Sequence, residues 1–125
     1  MPGVTLDAGG LIALDRDDRR VVVLLARARE TGARVTVPAS ALAQAIRQPE
    51  RQARLSRLIR QPGTDVVALG RVDATQVGRL LAASGTADIA DAHVVICARR
   101  AGQPVLTSDP SDLHRLDPAI QLIAL

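Results

Sequence analysis

The chain has 125 residues, 47% of them apolar, and a net charge of +3. This is enough for a single domain, residues 1–125, to bury a sizeable core. No apolar run approaches the ~18 residues of a membrane span, so we expect no membrane association. Every cation is arginine and there is no Phe, Tyr or Trp, which excludes aromatic platforms for base stacking. Any nucleic-acid binding must use arginine, backbone amides or metal ions.

Two features indicate a cytoplasmic protein. The first residues, "MPGVTLDAGG", lack the basic region of a signal peptide. The single Cys97 cannot form an internal disulfide, which fits a reducing compartment.

Strand and helix patterns alternate along the chain. Strands are predicted at 4–6, 34–37, 64–69, 104–107 and 119–125. Helices are predicted at 19–30, 39–47, 50–60, 74–84, 86–101 and 110–116, with Asp73 as the cap of the helix at 74–84. None is predicted for the glycine-containing stretch after Asp7. The strands are continuous apolar runs, typical of a parallel sheet covered on both faces. We therefore predict an α/β fold, a three-layer α/β/α sandwich with a mostly parallel central sheet.

Two aspartates follow predicted strands. Asp7 comes after the first strand and Asp109 after the fourth, in "VLTSDPSDL". Ligands of open α/β sheets bind beyond the carboxyl ends of the strands, so both lie where a site is expected. Each is also explained as an ordinary turn residue, because Asp favours loops.

The stretch "TADIADAHVVICARR", residues 86–100, places two more aspartates on one face of an apolar helix. If Thr86 is the N-cap, Asp88 lies in the first turn, where it can simply stabilise the helix end. Asp91 then lies a turn deeper among apolar residues, where a carboxylate is costly unless paired or bound to a cation. We therefore interpret Asp91 as functional and leave Asp88 open.

A Cys–His pair on the opposite face of this helix, His93 and Cys97, is a further alternative. A nucleophilic role is disfavoured, because the sequence shows no third group to orient the histidine and a buried cysteine is usually inert. We expect His93 to be a core residue and His114 to lie on the surface.

If Asp7, Asp91 and Asp109 converge, a cation must neutralise them. Oxygen ligands without a cysteine or histidine cluster favour Mg²⁺ or Mn²⁺. Such ions activate water and stabilise a leaving oxygen, which predicts hydrolysis of phosphodiester bonds. Receiver domains and haloacid-dehalogenase-type phosphatases are disfavoured, because both need a lysine that this chain lacks.

The segments "VTLDAGGLIAL" and "DIADAHVVICARRAGQPVLTSDPSDL", in this order, resemble the VapC-type PIN-domain toxins. The resemblance covers almost the whole chain. It implies a Mg²⁺- or Mn²⁺-dependent endoribonuclease, the toxin of a type II toxin–antitoxin pair. It also implies three partners: a VapB-like antitoxin, an RNA substrate and a second copy of the chain.

By position, the resemblance makes Asp7, Asp91 and Asp109 the catalytic metal ligands. Asp112 matches a supporting acidic position, although it also suits a helix cap. Thr107 and Ser108, which precede Asp109, are predicted to support the site.

One position departs from the family pattern, because Gln44 stands where a glutamate is usual. Glutamine can offer a carbonyl oxygen or orient a water molecule, so Gln44 is a further predicted supporting residue, but it cannot supply charge or act as a base. Asp88 is our hypothesis for the residue that restores the charge. An RNA-binding or antitoxin-binding protein that cleaves poorly, and a structural subunit whose acidic pocket receives a partner's arginine, therefore remain alternatives.

Arginines between the second and third strands are candidates for steering RNA. They are Arg47, Arg51, Arg54 and Arg57. A solvated helix face explains their spacing equally well.

Overall fold

A computed structural model describes residues 3–125, and strands and helices alternate through that range. The strands are β1 Val4–Leu6, β2 Val35–Pro38, β3 Thr64–Val67, β4 Val105–Thr107 and β5 Leu122–Ala124. The helices are α1 Ala8–Asp15, α2 Arg19–Thr31, α3 Ala39–Ala45, α4 Ala53–Ile59, α5 Arg71–Ser84, α6 Ile89–Ala101 and α7 Pro110–Leu116. The predicted α/β/α class is confirmed.

The five strands form one sheet in the order β3-β2-β1-β4-β5, and every neighbouring pair is parallel. The chain builds outwards from β1 to β3 and then returns to place β4 on the other side of β1. The strand order therefore reverses between β1 and β4. Their carboxyl ends form the crevice where open α/β sheets bind ligands.

Helix α6 forms the centre of the core. Its seven consecutive residues 92–98 are buried, and the helix packs against β1, β2, β4, α3, α5 and α7. Burial on all sides explains why the sequence is apolar almost all round. The first turn of α6 is thereby held rigidly beside the reversal point of the sheet.

The sequence prediction missed α1. This helix begins immediately after Asp7, whose side chain accepts a hydrogen bond from the Gly10 N–H at 2.8 Å. Glycine is a poor helix former, but here Gly10 allows close contact with β4. A Cβ atom at Gly10 would lie 2.8 Å from the carbonyl oxygen of Leu106.

Other element boundaries also differ from the prediction. The helix predicted at 50–60 is a 3₁₀ turn, Pro49–Arg51, followed by α4. The break lies at the buried Gln52, whose amide group binds three main-chain groups of the connection from α3. Helix α5 begins at Arg71 with Gly70 as N-cap, so Asp73 lies inside the helix rather than capping it. The strands β3 and β5 are shorter than predicted, because residue pairing with the neighbouring strand is confined to Thr64–Val67 and Leu122–Ala124.

Within residues 3–125, no single helix is long and apolar enough to cross a membrane. Helices α5 and α6 meet the length and composition criteria only when taken together, and they are bent by 110° at their junction.

Candidate metal centre at the carboxyl end of the sheet

Asp7 supplies a buried carboxylate at the end of β1. The residue is 4% exposed, and the desolvation caused by this burial raises the pKa of its carboxyl group. Hydrogen bonds from the Thr107 hydroxyl and from main-chain N–H groups at the start of α1 oppose the rise, whereas the charge of Asp109 adds to it. Asp7 is therefore a preorganised oxygen ligand that the fold leaves short of positive charge.

Thr107 connects the two strand-end aspartates. Its buried hydroxyl hydrogen-bonds to the Asp7 carboxylate, and its oxygen accepts the main-chain N–H of Asp109 at 2.8 Å. Ser108 is exposed and lies over the start of α1, where its Oγ occupies the space that a Cβ atom on Gly9 would need. Of the predicted supporting residues, Thr107 and Ser108 thus lie beside the strand-end aspartates.

The N-cap of α6 lies two residues later than predicted, which changes the interpretation of its aspartates. Asp88 is the N-cap, and its Oδ1 accepts the N–H of Asp91 at 2.9 Å. Thr86 instead pairs with the Ser84 hydroxyl at 2.8 Å. Asp91 lies in the first turn, so the premise that it stands a turn deeper in the helix is wrong.

Asp91 is nevertheless the most perturbed carboxylate among the residues described. Burial raises its pKa to about 7, with further contributions from the negative charges of Asp88, Asp7, Asp112 and Asp109, in that order. These contributions show that all five predicted metal-site aspartates lie close enough to interact. A carboxylate in this position needs a proton or a cation at neutral pH.

The outer part of the cluster lies on α7. Hydrogen bonding to Asp109 and repulsion by its charge raise the pKa of Asp112, which Arg115 opposes. Arg115 also lines a cavity of about 280 Å³ that reaches Asp88, Asp91 and Asp112. The sequence analysis did not single out Arg115. Its spacing of three residues from Asp112, on one helix face, is the signal that could have identified it.

The donor set fits a hard divalent ion. The cluster consists of carboxylate oxygens, with hydroxyl and main-chain groups holding them, and such ligands suit Mg²⁺ or Mn²⁺. Mg²⁺ keeps several waters and binds through few protein ligands, so the carboxylates need not crowd together.

Gln44 and the predicted RNA-binding arginines lie on α3, on α4 and between them. Gln44 and Arg51 are exposed. The Arg47 guanidinium, just after α3, donates to two carbonyl oxygens at the carboxyl end of that helix, at 3.0 and 2.7 Å. Arg54 donates to a carbonyl at the end of α1 at 3.3 Å and lies 3.5 Å from the Asp17 carboxylate. Their role in RNA binding remains a prediction.

Arg54 and Arg57 also line a second cavity. This groove of about 710 Å³ runs between α2 and α4 and reaches the residues that precede β2 and β3. In an all-parallel sheet, that is the edge opposite the carboxyl ends. The groove and the acidic cluster are therefore separate surfaces.

Comparison with known proteins agrees with this architecture. A search of curated proteins found no match. A similar solved structure is that of VapBC2 from Rickettsia felis bound to a DNA fragment from their promoter. The match has 12% identity and a TM-score of 0.67, and covers 98% of each chain.

A family model described as "PIN domain" matches residues 4–117. Proteins of this family are in general nucleases that use divalent metals. Because this family model matches most of the chain, the chain belongs to the PIN domain family, and its resemblance to the VapC-type members is confirmed.

Proposed function

We propose that this chain is a metal-dependent endoribonuclease and the toxin of a VapBC-type toxin–antitoxin pair. The observation that supports the proposal most strongly is the perturbed Asp91. Its pKa of about 7 arises where aspartates from β1, α6 and the β4–α7 segment meet at the reversal point of the sheet. Strongly perturbed carboxylates in a crevice are characteristic of catalytic and metal sites.

Asp7, Asp91 and Asp109 would hold the ion, with Asp88 and Asp112 completing the negative charge. When bound, a divalent cation supplies an activated water molecule and neutralises charge on the phosphate. The chain's contribution is preorganisation. Thr107 fixes Asp7 relative to the main chain of Asp109, and the Asp88 cap fixes the first turn that carries Asp91.

Cleavage of a structured RNA in Mn²⁺ tests the proposal. We expect the wild-type chain to cleave, and Asp91→Asn to lose at least about 100-fold in rate, the scale of removing one electrostatic catalytic group. Expression of the wild type in a bacterial host should arrest growth, and expression of Asp91→Asn should not. Equal, metal-independent cleavage by both proteins would indicate contamination and contradict the nuclease proposal.

A weakly cleaving RNA- or antitoxin-binding protein is the second candidate, and Gln44 favours it. Its exposed amide stands at the position where the resembling family usually has a carboxylate. Under this alternative the wild type binds RNA without cutting it, and Gln44→Glu gains cleavage. Under the main proposal the wild type already cleaves, and Gln44→Glu changes the rate only modestly. Gln44→Met, which is similar in size and uncharged, is the matched control.

The groove between α2 and α4 supports the antitoxin partnership. Its lining is mostly apolar and includes four arginines, of which Arg34 and Arg54 already pair with Asp65 and Asp17. A segment with apolar side chains and acidic groups that reach Arg29 and Arg57 would complement it. The lining includes Leu14, Val22, Leu25 and Leu58, with Arg29, Arg34, Arg54 and Arg57 around them.

Co-expression tests this assignment. A VapB-like chain should co-purify with the wild type and restore growth. Leu25→Glu should weaken the complex, whereas the same substitution at the exposed Val23 on the same helix should not. Equal binding by both variants would show that the antitoxin occupies another surface.

A further inference from the structure

A second group of potential metal ligands lies between α5 and α6, separate from the acidic cluster. It consists of Asp73, His93 and Cys97, all buried, whose potential ligand atoms lie within 4.8 Å of one another. His93 and Cys97 are one helical turn apart on α6, and Asp73 faces them from α5. The Nε2 atom of His93 is 3.2 Å from Oδ2 of Asp73.

We propose that Asp73, His93 and Cys97 form a binding site for a soft divalent ion, Zn²⁺, that fastens α5 to α6. The ligands would be His93 Nε2, Asp73 Oδ2 and Cys97 Sγ. A nitrogen, an oxygen and a sulfur ligand suit zinc and not magnesium. The proposal does not depend on the nuclease function.

The remaining polar atoms of these side chains are already held by neighbours. Nδ1 of His93 lies 2.5 Å from the Ser40 hydroxyl, and Oδ1 of Asp73 accepts a hydrogen bond from Arg100. Zinc-binding histidines characteristically have the second ring nitrogen held in this way, as ligating carboxylates have their second oxygen. The arrangement therefore aims Nε2 and Oδ2 at the same point.

The protons balance. Without metal, His93 Nε2–H donates to Asp73, and the Ser40 hydroxyl donates to Nδ1. With Zn²⁺ bound, the ring proton would be on Nδ1 and would donate to Ser40 Oγ, and the Cys97 thiol would release its proton to solvent. One carboxylate and one thiolate would then offset the two positive charges of the ion, and Arg100, which pairs with Asp73, would leave the group with a net charge of +1. Burial raises the pKa of Cys97 to about 11, so without metal the thiol stays protonated and the site competes with protons for the ion.

Cobalt titration tests the site, because Co²⁺ replaces Zn²⁺ and reports thiolate coordination by a near-ultraviolet absorption band. The full chain is stripped with chelator and titrated in excess Mg²⁺, which competes with Co²⁺ for the carboxylates of the acidic cluster. Since the chain has one cysteine, a thiolate band can only come from Cys97. We expect one equivalent of Co²⁺ with this band, displaced by one equivalent of Zn²⁺.

Variants separate this site from the acidic cluster. Cys97→Ser should lose the band and should lower Zn²⁺ affinity by more than about 100-fold. Ser40→Ala, which removes a partner of a ligand and not a ligand itself, should lower the affinity by only about 10–100-fold. Asp91→Asn should keep the band unchanged, because Asp91 is not among the three proposed ligands. Zn²⁺ should raise the melting temperature of the wild type and not that of Cys97→Ser. If Cys97→Ser does not fold, Cys97→Ala replaces it.

Two outcomes would overturn the proposal. One is a wild-type chain that binds Co²⁺ without a thiolate band, or does not bind it under these conditions. The other is a band whose strength depends on protein concentration, which would indicate cysteines shared between chains. Either result would leave the Ser40–His93–Asp73–Arg100 chain as a hydrogen-bonded connection between helices only.

Discussion

The carboxylate of Asp88 accepts the main-chain N–H of Asp91 at 2.9 Å, and its charge also helps to raise the pKa of Asp91 to about 7. One side chain thus caps α6 and adds negative charge to the candidate metal centre. The two contributions can be separated, because asparagine caps a helix about as well as aspartate but carries no charge.

Asp88→Asn and Asp88→Ala form the pair of variants that separates them. Asp88→Ala should lower the free energy of unfolding by about 0.5–2 kcal/mol, because the cap is lost. Asp88→Asn should keep the stability and weaken Mn²⁺ binding, since it removes one negative charge from the cluster. Urea unfolding and Mn²⁺ titration measure the two effects. If Asp88→Asn leaves Mn²⁺ affinity and cleavage unchanged, Asp88 acts only as a cap.

The pKa of Asp91 predicts how the stability of the metal-free protein depends on pH. The folded-state pKa is raised from 3.8 to about 7, so the fold favours the protonated form. Stability contributed by this group is present below pH ~4 and is lost as the pH rises through about 7. Asp91→Asn should therefore be more stable than the wild type at pH 8 in chelator, and the difference should vanish near pH 4.

Asp65→Asn is the matched control with the opposite sign. A hydrogen bond from Arg34 lowers the pKa of Asp65, so its contribution is present above the unfolded pKa and is lost as the pH falls. The pair is exposed, so this variant should be slightly less stable at pH 8, with the difference closing in acid. Equal pH profiles for wild type and Asp91→Asn would contradict the raised pKa.

Glycines in two helices give a test of how closely α1 must approach the sheet. Gly10→Ala places a Cβ atom 2.8 Å from a main-chain oxygen of β4. This oxygen cannot move aside in the way that the end of a flexible side chain could. We expect a loss of about 1–3 kcal/mol in unfolding free energy, together with weaker Mn²⁺ binding because Asp7 caps this turn. Gly78→Ala on α5 meets nothing within 4 Å and should stabilise by about 0.5–1 kcal/mol. Thermal melts of both variants measure the contrast.

The strand ends could be predicted because their signal is local. A continuous apolar run stopped by aspartate marks the carboxyl end of a buried parallel strand, and Asp7 and Asp109 lie there in the structure. Helix α1 was missed because two glycines open it, and glycine disfavours helices on average. The conflict is resolved only in three dimensions, where Gly10 allows contact with β4. The Asp7 cap followed by an apolar run was the available signal.

The His93 connection could not be predicted from the sequence. Its partner Asp73 stands 20 residues away on a different helix, where the sequence alone suggested a cap. A functional His93–Cys97 pair was disfavoured because the sequence showed no group to orient the histidine. In the structure Asp73 is such a group. Asp7, Asp91 and Asp109 were expected together from the family resemblance, whereas the depth expected for Asp91 within its helix was wrong. Burial, followed by the charges of four neighbouring carboxylates, accounts for the raised pKa of Asp91.

Arg115 is the cation most directly associated with the acidic cavity, and it provides a last prediction that rests on the proposed nuclease function. The guanidinium lines the cavity with Asp88, Asp91 and Asp112, where a phosphate of bound RNA would need a positive partner besides the metal. Arg115→Ala should raise KM for RNA several-fold with a smaller effect on kcat, and should reduce the slope of log affinity against log salt by about 1.

Arg60→Ala is the control for this prediction, because Arg60 is exposed and donates to a carbonyl of its own helix, α4. Both variants lose one positive charge, so a general effect of net charge would change them equally. A decrease in the salt slope confined to Arg115→Ala would place RNA phosphate at the acidic cavity. Equal slopes for the two variants would mean that RNA approaches the metal centre from another side, and that the main function of Arg115 is to offset the charge of Asp112.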